Sequence, residues 1–296
     1  MKKKIRENNA LFQKSLSEKI VFAVVFVIFT IWVATLMYPI VWLLANSLKH
    51  NLHYLEDLPK GFGLPRAGYW EFENYLQAFK GLRQGNTYLV GMIFNSLWQT
   101  ILSLVLNMFV CSCTGYCLCK YTFRGRNLIY TIAIVCMILP IFGTGGASYT
   151  FYYVTGMYDT PLYVIWTSLG GFSTRFLMMY SFFKGISWDY AEAVFIDGGN
   201  DYTVFFKIML PLAAPMILTL GVTGFIASWN SYESVLIYLP SYPTLAVGIF
   251  KVKEQFEADL PVYYSAMILS IIPVIALFIV FADKIMTNLS IGGLKG

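Results

Sequence analysis

The strongest constraint on this chain is a set of six apolar segments, each long enough to cross a membrane. A helix needs about 20 mostly apolar residues to span the roughly 30 Å of hydrocarbon in a bilayer, and a window of about 19 residues locates such stretches. The sequence therefore predicts an all-α membrane protein with six transmembrane helices. The predicted spans are residues 20–48, 89–119, 128–149, 161–183, 212–232 and 262–282.

The charge content agrees with a membrane protein. Only 12% of the residues are charged and 57% are hydrophobic, whereas soluble domains carry about 25% charged residues. A soluble or disordered chain of this length would need far more charge to cover its surface. Both of those classes are excluded.

The basic residues predict the orientation. With the N-terminus inside, thirteen Lys and Arg residues lie in cytoplasmic segments and seven in outer ones, and a cytoplasmic excess of basic residues is the usual arrangement. We therefore expect a cytoplasmic segment at 1–19, a membrane domain at 20–282 and a cytoplasmic tail at 283–296. The first span is too long for a cleaved signal peptide, so we expect it to be retained.

The sequence shows no catalytic or metal-binding set. All five cysteines lie in apolar stretches without an accompanying His or carboxylate, so we interpret them as packing residues. The ATP-binding pattern G-x4-G-K-[ST] is absent, and His50 and His53 lie in an outer loop without a nucleophile beside them. We expect no enzymatic activity, no cofactor and no nucleic-acid partner.

In the outer loop 49–88, apolar residues recur at helical spacing from Phe72 to Phe79. This period predicts a short amphipathic helix at 71–82, lying on the membrane or against the spans. A surface helix with no role beyond packing would have the same pattern.

The loop at 184–211 carries the most information, and we call it the motif loop. Ser187 can cap a first short helix, the glycines at 198–199 supply a turn, and Asn200 or Asp201 can cap a second helix. Both helices would have apolar faces, and apolar groups exposed in a cytoplasmic loop indicate a protein partner.

The spacing in this loop resembles the motif E-A-A-x3-G-x9-I-x-L-P of bacterial ABC importer permeases. Two alanine positions of the family pattern differ, because Val194 replaces the second alanine and Gly199 replaces the alanine of the D-G-A step. The residues that match are Glu192, Ala193, Asp197, Gly198, Ile208, Leu210 and Pro211.

The similarity extends along the chain to the carbohydrate permeases of the maltose-transporter type. It includes Asn95 in the N-S-L that opens the second span, the aromatic-x-F-x-G-R turn at 121–126, the W-N pair Trp229–Asn230 and the tail at 292–296. This resemblance implies the type I ABC importer permease fold. It also implies the smaller permease of a heterodimeric pair that imports a sugar or oligosaccharide.

The resemblance further implies the partners of such a chain. They are a second permease subunit, two ATP-binding subunits that hold the ATP, and an extracytoplasmic substrate-binding protein, assembled in the lipid of the bacterial cytoplasmic membrane. The motif loop would form a coupling helix in a groove of an ATPase subunit, with Glu192 pairing with a basic group there. The alternative for Glu192 is a solvated carboxylate, worth at most about 1 kcal/mol.

Arg175 lies inside the fourth span, where a charge is a functional candidate. It could hydrogen-bond a sugar or a sugar carboxylate. It could equally pair with a helix end or with a neighbouring subunit.

Other polar groups are candidates for the sugar pathway. Asn95 and Gln99 are four residues apart and share one helix face. Trp229, Asn230 and Glu233 gather at the outer end of the fifth span. Polar packing between helices and an interfacial aromatic belt would explain these groups equally well.

Two other functions remain open. A secondary transporter would show internal repeats and acidic residues within its spans, and we find neither clearly. An importer of the same family for a peptide, a polyamine or a modified sugar would have the same motif loop, because that loop faces the ATPase and not the cargo.

Overall fold

The structure, a computed structural model, describes residues 16–61, 63–139, 143–255 and 259–291. A two-residue hairpin pairs β1 (Arg83–Gln84) with β2 (Thr87–Tyr88) antiparallel, with Arg83 opposite Tyr88. A 3-10 turn spans Leu58–Lys60 and a π-helix spans Val204–Met209. The α-helices are α1 (Leu16–Ser47), α2 (Asn51–Asp57), α3 (Glu73–Gly81), α4 (Leu89–Lys120), α5 (Arg126–Ile138), α6 (Gly145–Val154), α7 (Pro161–Ser168), α8 (Thr174–Gly185), α9 (Asp189–Ile196), α10 (Asp201–Thr203), α11 (Leu210–Leu212), α12 (Ala214–Asn230), α13 (Glu233–Tyr238), α14 (Leu245–Gln255) and α15 (Leu260–Ile291).

The first two predicted spans are single helices. In the part of the chain that the structure describes, α1 and α4 are long and apolar enough to cross a membrane, and the bent pair 201–212 and 214–230 would make a third span. The all-helical fold class is confirmed. The count of six spans and their orientation stay predictions, and the segments 1–15 and 292–296 lie outside the described residues.

The third and fourth predicted spans each contain two helices. Helices α5 and α6 occupy the third, and residues 140–142 between them lie outside the described residues. In the fourth, α7 ends at Ser168 and α8 begins at Thr174. Since exposed backbone groups are costly in hydrocarbon, the break at 169–173 needs partners from another helix.

A bend precedes the main helix of the fifth predicted span. Pro211 lies in α11, and α12 begins only at Ala214 with Pro215 in its first turn. The axes of 201–212 and 214–230 differ by 66°. A proline removes a helical hydrogen bond and its ring crowds the preceding turn, and two prolines four residues apart account for this bend.

The chain forms two compact units, 1–75 with 258–268 and 76–257 with 269–296. In the first unit, an ion pair and hydrogen bonds join the residues that follow α1 in the chain. The buried Lys49 ammonium donates to Asp57 Oδ2 at 2.9 Å, and Asn74 Nδ2 donates to the carbonyls of Ser47 and Lys49, also at 2.9 Å. Hydrogen bonds from Lys49 and Lys60 lower the pKa of Asp57 from its ordinary value, so this carboxylate is ionised at neutral pH.

The core of the second unit lies between α4, α8 and the motif loop. Helix α4 approaches α8 closely at Gly115, where a Cβ would lie 3.0 Å from the Tyr180 backbone nitrogen. Small residues allow such close helix packing in membranes. Fully buried residues of this core come from α4, α8 and the motif loop alike: Cys111, Phe176, Met179, Phe183, Ala191, Val204 and Met209.

Candidate functional site

The motif loop folds as two helical segments joined at a glycine. Ser187 Oγ accepts a hydrogen bond from the Asp189 amide at 3.2 Å at the start of α9. Gly198 ends this helix with φ +79°, a conformation in which a Cβ is unfavourable. Asn200 Oδ1 then accepts from the Thr203 amide at 2.9 Å and caps the second segment. The predicted helix–turn–helix is confirmed, with Asn200 and not Asp201 as the second cap.

One face of the motif loop is fixed against the spans. Ala191, Val204 and Phe205 are buried in the core with α4 and α8. The Phe205 ring lies 5.0 Å from that of Tyr116 on α4, and the loop is therefore packed onto the helices that it would have to move.

Tyr121, at the end of α4, holds the second helical segment of the motif loop in place. Tyr121 Oη donates to Asp201 Oδ1 at 2.7 Å, and its ring meets that of Trp188 edge-on at 6.0 Å. Burial, together with the hydrogen bonds to Tyr116 and Asp201, raises the pKa of Tyr121 above its usual range. The phenol therefore stays protonated and remains a donor at physiological pH.

The opposite face of the motif loop is exposed and contains large apolar side chains. Ile196 is 85% exposed and Tyr202 is 76% exposed. Glu192 is also exposed, and none of the ion pairs in the described part of the chain includes it. Phe195 on α9 is exposed as well. Among the other motif residues, Ala193, Asp197 and Pro211 are exposed, and Ile208 and Leu210 are half-buried.

The two departures from the family pattern lie against each other. A Cβ on Gly199 would come 2.4 Å from Val194 Cγ1 and 3.0 Å from the Val194 carbonyl oxygen. The larger side chain at 194 therefore occupies the space that an alanine at 199 would need. The two changes offset each other in volume, which keeps the turn closed.

We expect Gly199→Ala to destabilise the motif loop by about 1–3 kcal/mol, the usual effect of overpacking. Val194→Ala in the same chain should recover at least about 0.5 kcal/mol of that loss, since contacting residues couple. Melting temperatures of the four chains of this double-mutant cycle, in detergent, would show it. Gly198→Ala is the matched control, because a Cβ there meets nothing within 4 Å but suffers from positive φ. Equal recovery of both variants by Val194→Ala would contradict the volume exchange.

The Arg175 side chain is hydrogen-bonded to another helix of the same chain. Its Nη1 donates to Asn107 Oδ1 on α4 at 3.0 Å, and a Cβ on Gly224 would lie 3.1 Å from its Nη2. No carboxylate forms an ion pair with it among the described residues. Arg175 lies in the first turn of α8, where the helix dipole disfavours a positive charge. The hydrogen bond to the Asn107 oxygen offsets this unfavourable interaction.

Asn107 also supplies hydrogen bonds to backbone carbonyls at the break in the fourth predicted span. Its Nδ2 donates to the carbonyls of Ser168 and Gly170, both at 3.3 Å. One amide thus joins α4 to the end of α7 and, through Arg175, to the start of α8. Sequence reasoning missed Asn107, although an asparagine in the middle of a long apolar helix is itself a signal of polar contacts between helices.

Asn95 and Gln99 hold a loop in place. Asn95 Nδ2 donates to the Pro243 carbonyl at 3.1 Å, and Gln99 Nε2 donates to the Tyr242 carbonyl at 2.9 Å. Both side chains are therefore used in fixing the segment before α14.

Trp229 and Asn230 lie beside two cavities. Trp229 is buried and stacks on Phe225 at 5.5 Å. With Gln99 it lines a cavity of about 260 Å³, and with Asn230 it lines a second, mostly apolar cavity of about 450 Å³. Asn230 Nδ2 donates to the Ile226 carbonyl of its own helix at 3.0 Å. Glu233 is exposed at the start of α13 and lines neither cavity.

Residues 112–290 of the chain match the family model described as "Binding-protein-dependent transport system inner membrane component". The matched part contains the whole motif loop and α12. It begins within α4, so Asn95 and Gln99 lie before it.

Similar proteins cover nearly the whole chain. The diacetylchitobiose uptake system permease protein of Streptomyces coelicolor is 27% identical over 88% of this chain and 85% of its own length. The arabinooligosaccharides transport system permease protein of Bacillus subtilis is 29% identical, over 88% and 91% respectively. A chain of a crystallised bacterial ABC transporter involved in the import of alginate superposes with a TM-score of 0.74 at 21% identity, over 91% of this chain and 98% of that one. This structural likeness shows a shared fold.

Proposed function

Since the chain belongs to the family of binding-protein-dependent transport system inner membrane components, we propose that it is one permease subunit of an ATP-driven importer for a sugar or oligosaccharide. The resemblance to ABC importer permeases found in the sequence is confirmed by this membership. The chain acts with a second permease, two ATP-binding subunits and an extracytoplasmic substrate-binding protein. ATP is bound and hydrolysed by the ATP-binding subunits.

The observation that carries the coupling role is the two-sided motif loop. Ala191 and Val204 on its inner face are fully buried among the spans, and Ile196 and Glu192 on its outer face have no neighbour to cover them in the described chain. A lever needs this combination, because the force applied to the exposed face must reach the helices without being absorbed by a loose loop. We assign the exposed face to the groove of an ATP-binding subunit.

The sugar cargo is supported by the relatives. Proteins similar over most of this chain are named for diacetylchitobiose, for arabinooligosaccharides and for sulfoquinovosyl glycerol. All three are hydroxyl-rich sugars or sugar oligomers, and we propose this chemical class as the cargo.

Site-specific photo-crosslinking in native membranes tests the assembly. A photoreactive residue at Ile196 should link the chain to an ATP-binding protein, identified by mass, and the tagged chain should co-purify with a second permease. The matched control is Leu64, which is similarly exposed but lies in a segment that the charge count puts on the outer side. A chain that yields no crosslink at 196 and purifies alone would shift the proposal to a transporter that needs no ATPase.

A further inference from the structure

Helix α4 is hydrogen-bonded through side chains to the motif loop at one end and to the segment before α14 at the other. It is one unbroken helix of 32 residues, about 48 Å long at 1.5 Å per residue. The fourth predicted span is instead broken at 169–173, and the fifth is bent by 66°. Hinges form at the ends of such elements, so α4 is better suited than these two spans to carry a displacement along its length.

Two consecutive residues at the C-terminal end of α4 bond the motif loop on both sides of its glycine turn. Lys120 Nζ donates to the Ile186 carbonyl just before the first helical segment. Tyr121 Oη donates to Asp201 Oδ1 in the second segment at 2.7 Å. The loop therefore cannot move away from the end of α4 unless one of these hydrogen bonds breaks.

The N-terminal part of α4 bonds the backbone at 242–245. Asn95 and Gln99 donate from their side-chain amides to the carbonyls of residues 243 and 242. Ser96 Oγ accepts from the Leu245 amide at 2.8 Å. These bonds fix three successive points of a segment that the charge count puts on the outer side of the membrane.

We propose that α4 transmits ATP-driven movement of the motif loop to the segment 242–245, with Tyr121 and Asn95 as positioning residues near its two ends. Apolar packing is non-directional, whereas a hydrogen bond depends on distance and angle, so these bonds fix the register of α4 against both segments. About 39 Å of helix separates the two residues, and neither can affect the other by direct contact. The inference rests on the proposed function, because an ATP-binding subunit must supply the movement.

Maleimide labelling of a cysteine at position 240 tests this transmission. Pro240 is exposed and lies two residues before the bonded segment. The Pro240→Cys chain is purified with its partners in lipid nanodiscs, which leave both faces accessible, and the labelling of the unmodified chain is subtracted because it has five cysteines of its own. ATP with vanadate should change the labelling rate at 240 by about fivefold or more, the lower end of couplings between distant sites. We call this change the ATP response.

Variants at the two ends of α4 separate transmission from local packing. Tyr121→Phe and Asn95→Leu, each made in the Pro240→Cys chain, should reduce the ATP response to less than about twofold, since one hydrogen bond corresponds to about fivefold in an equilibrium constant. A purely local role of Tyr121 would not alter labelling at the far end of the helix. Thr114→Val is the matched control on α4, because its hydroxyl bonds only carbonyls of its own helix, and it should keep the full response.

A second pair of variants keeps the test decisive if Tyr121→Phe fails to fold. Asp201→Asn retains an acceptor oxygen for the Tyr121 hydroxyl and should keep the ATP response, whereas Asp201→Ala should lose it. Equal responses of these two variants, or a full response in Tyr121→Phe or Asn95→Leu, would overturn the inference. So would a complex that hydrolyses ATP without any ATP response at 240. A complex that contains no ATP-binding protein and hydrolyses no ATP would instead overturn the proposed function.

Discussion

We expect the charge reversal Glu192→Lys to reduce ATP-driven uptake by about thirtyfold or more. The loss of one partner from a desolvated interfacial charge pair costs about 2–5 kcal/mol, and about 2 kcal/mol corresponds to a thirtyfold change in an equilibrium constant. The side chain is exposed, and exposed substitutions away from special features change folding stability by less than about 0.5 kcal/mol. Uptake in cells and sugar-stimulated ATP hydrolysis by the purified complex measure the effect.

The matched control for this experiment is Glu73→Lys, the same change on an exposed carboxylate of α3. Glu73→Lys should leave uptake within about twofold, since α3 lies in the segment that the charge count puts on the outer side. Membrane levels of both variants should equal that of the unmodified chain. Normal uptake with Glu192→Lys at a normal membrane level would remove Glu192 from the coupling interface.

The second large effect is expected from Asn107→Leu. This change leaves the Arg175 guanidinium without its bonded oxygen and two carbonyls at the break without their donor. Neutral hydrogen bonds between membrane helices are worth about 0.6 kcal/mol on average, and one to a charged group about 1.5–3 kcal/mol. Together they predict a loss of about 2–4 kcal/mol, visible as a fall of at least about 4 °C in melting temperature.

Two further variants show whether the loss of stability comes from the hydrogen bonds of Asn107. Thr114→Val on the same helix is the matched control, because the Thr114 hydroxyl bonds only carbonyls of its own helix, and its melting temperature should not change. Arg175→Met removes the charge and its need for an oxygen together, so it should destabilise less than Asn107→Leu. If Asn107→Leu melts like the unmodified chain, the amide does not hold the break. If Arg175→Met melts normally but loses uptake, Arg175 acts on the cargo.

Local features of the fold were predictable from sequence. Amphipathic spacing predicted a helix at 71–82, and α3 spans Glu73–Gly81. Glycine and cap residues predicted the turn in the motif loop, since a left-handed glycine and an asparagine cap are requirements of the backbone itself. The unexpected start of α12 at Ala214 also has a local cause, since Pro215 competes with Pro211 for the first turn, and spacing alone does not decide between them.

The candidate site was only partly predictable for a different reason. Glu192 and Gly198 belong to a motif with fixed spacing, so they could be named in advance. Asn107 lies in no motif. Its importance comes from a broken helix more than 60 residues away in the chain.

The sequence by itself determined that the chain is a helical membrane protein with a motif loop, because hydrophobic length, low charge and residue spacing act locally. The tertiary structure decided which polar groups are already used and which are free. Asn95 and Gln99 looked like cargo contacts, and the structure shows them bonded to the loop before α14. The physical reason is that a polar group in a dry interior is defined by its partners, and those partners come from distant parts of the chain.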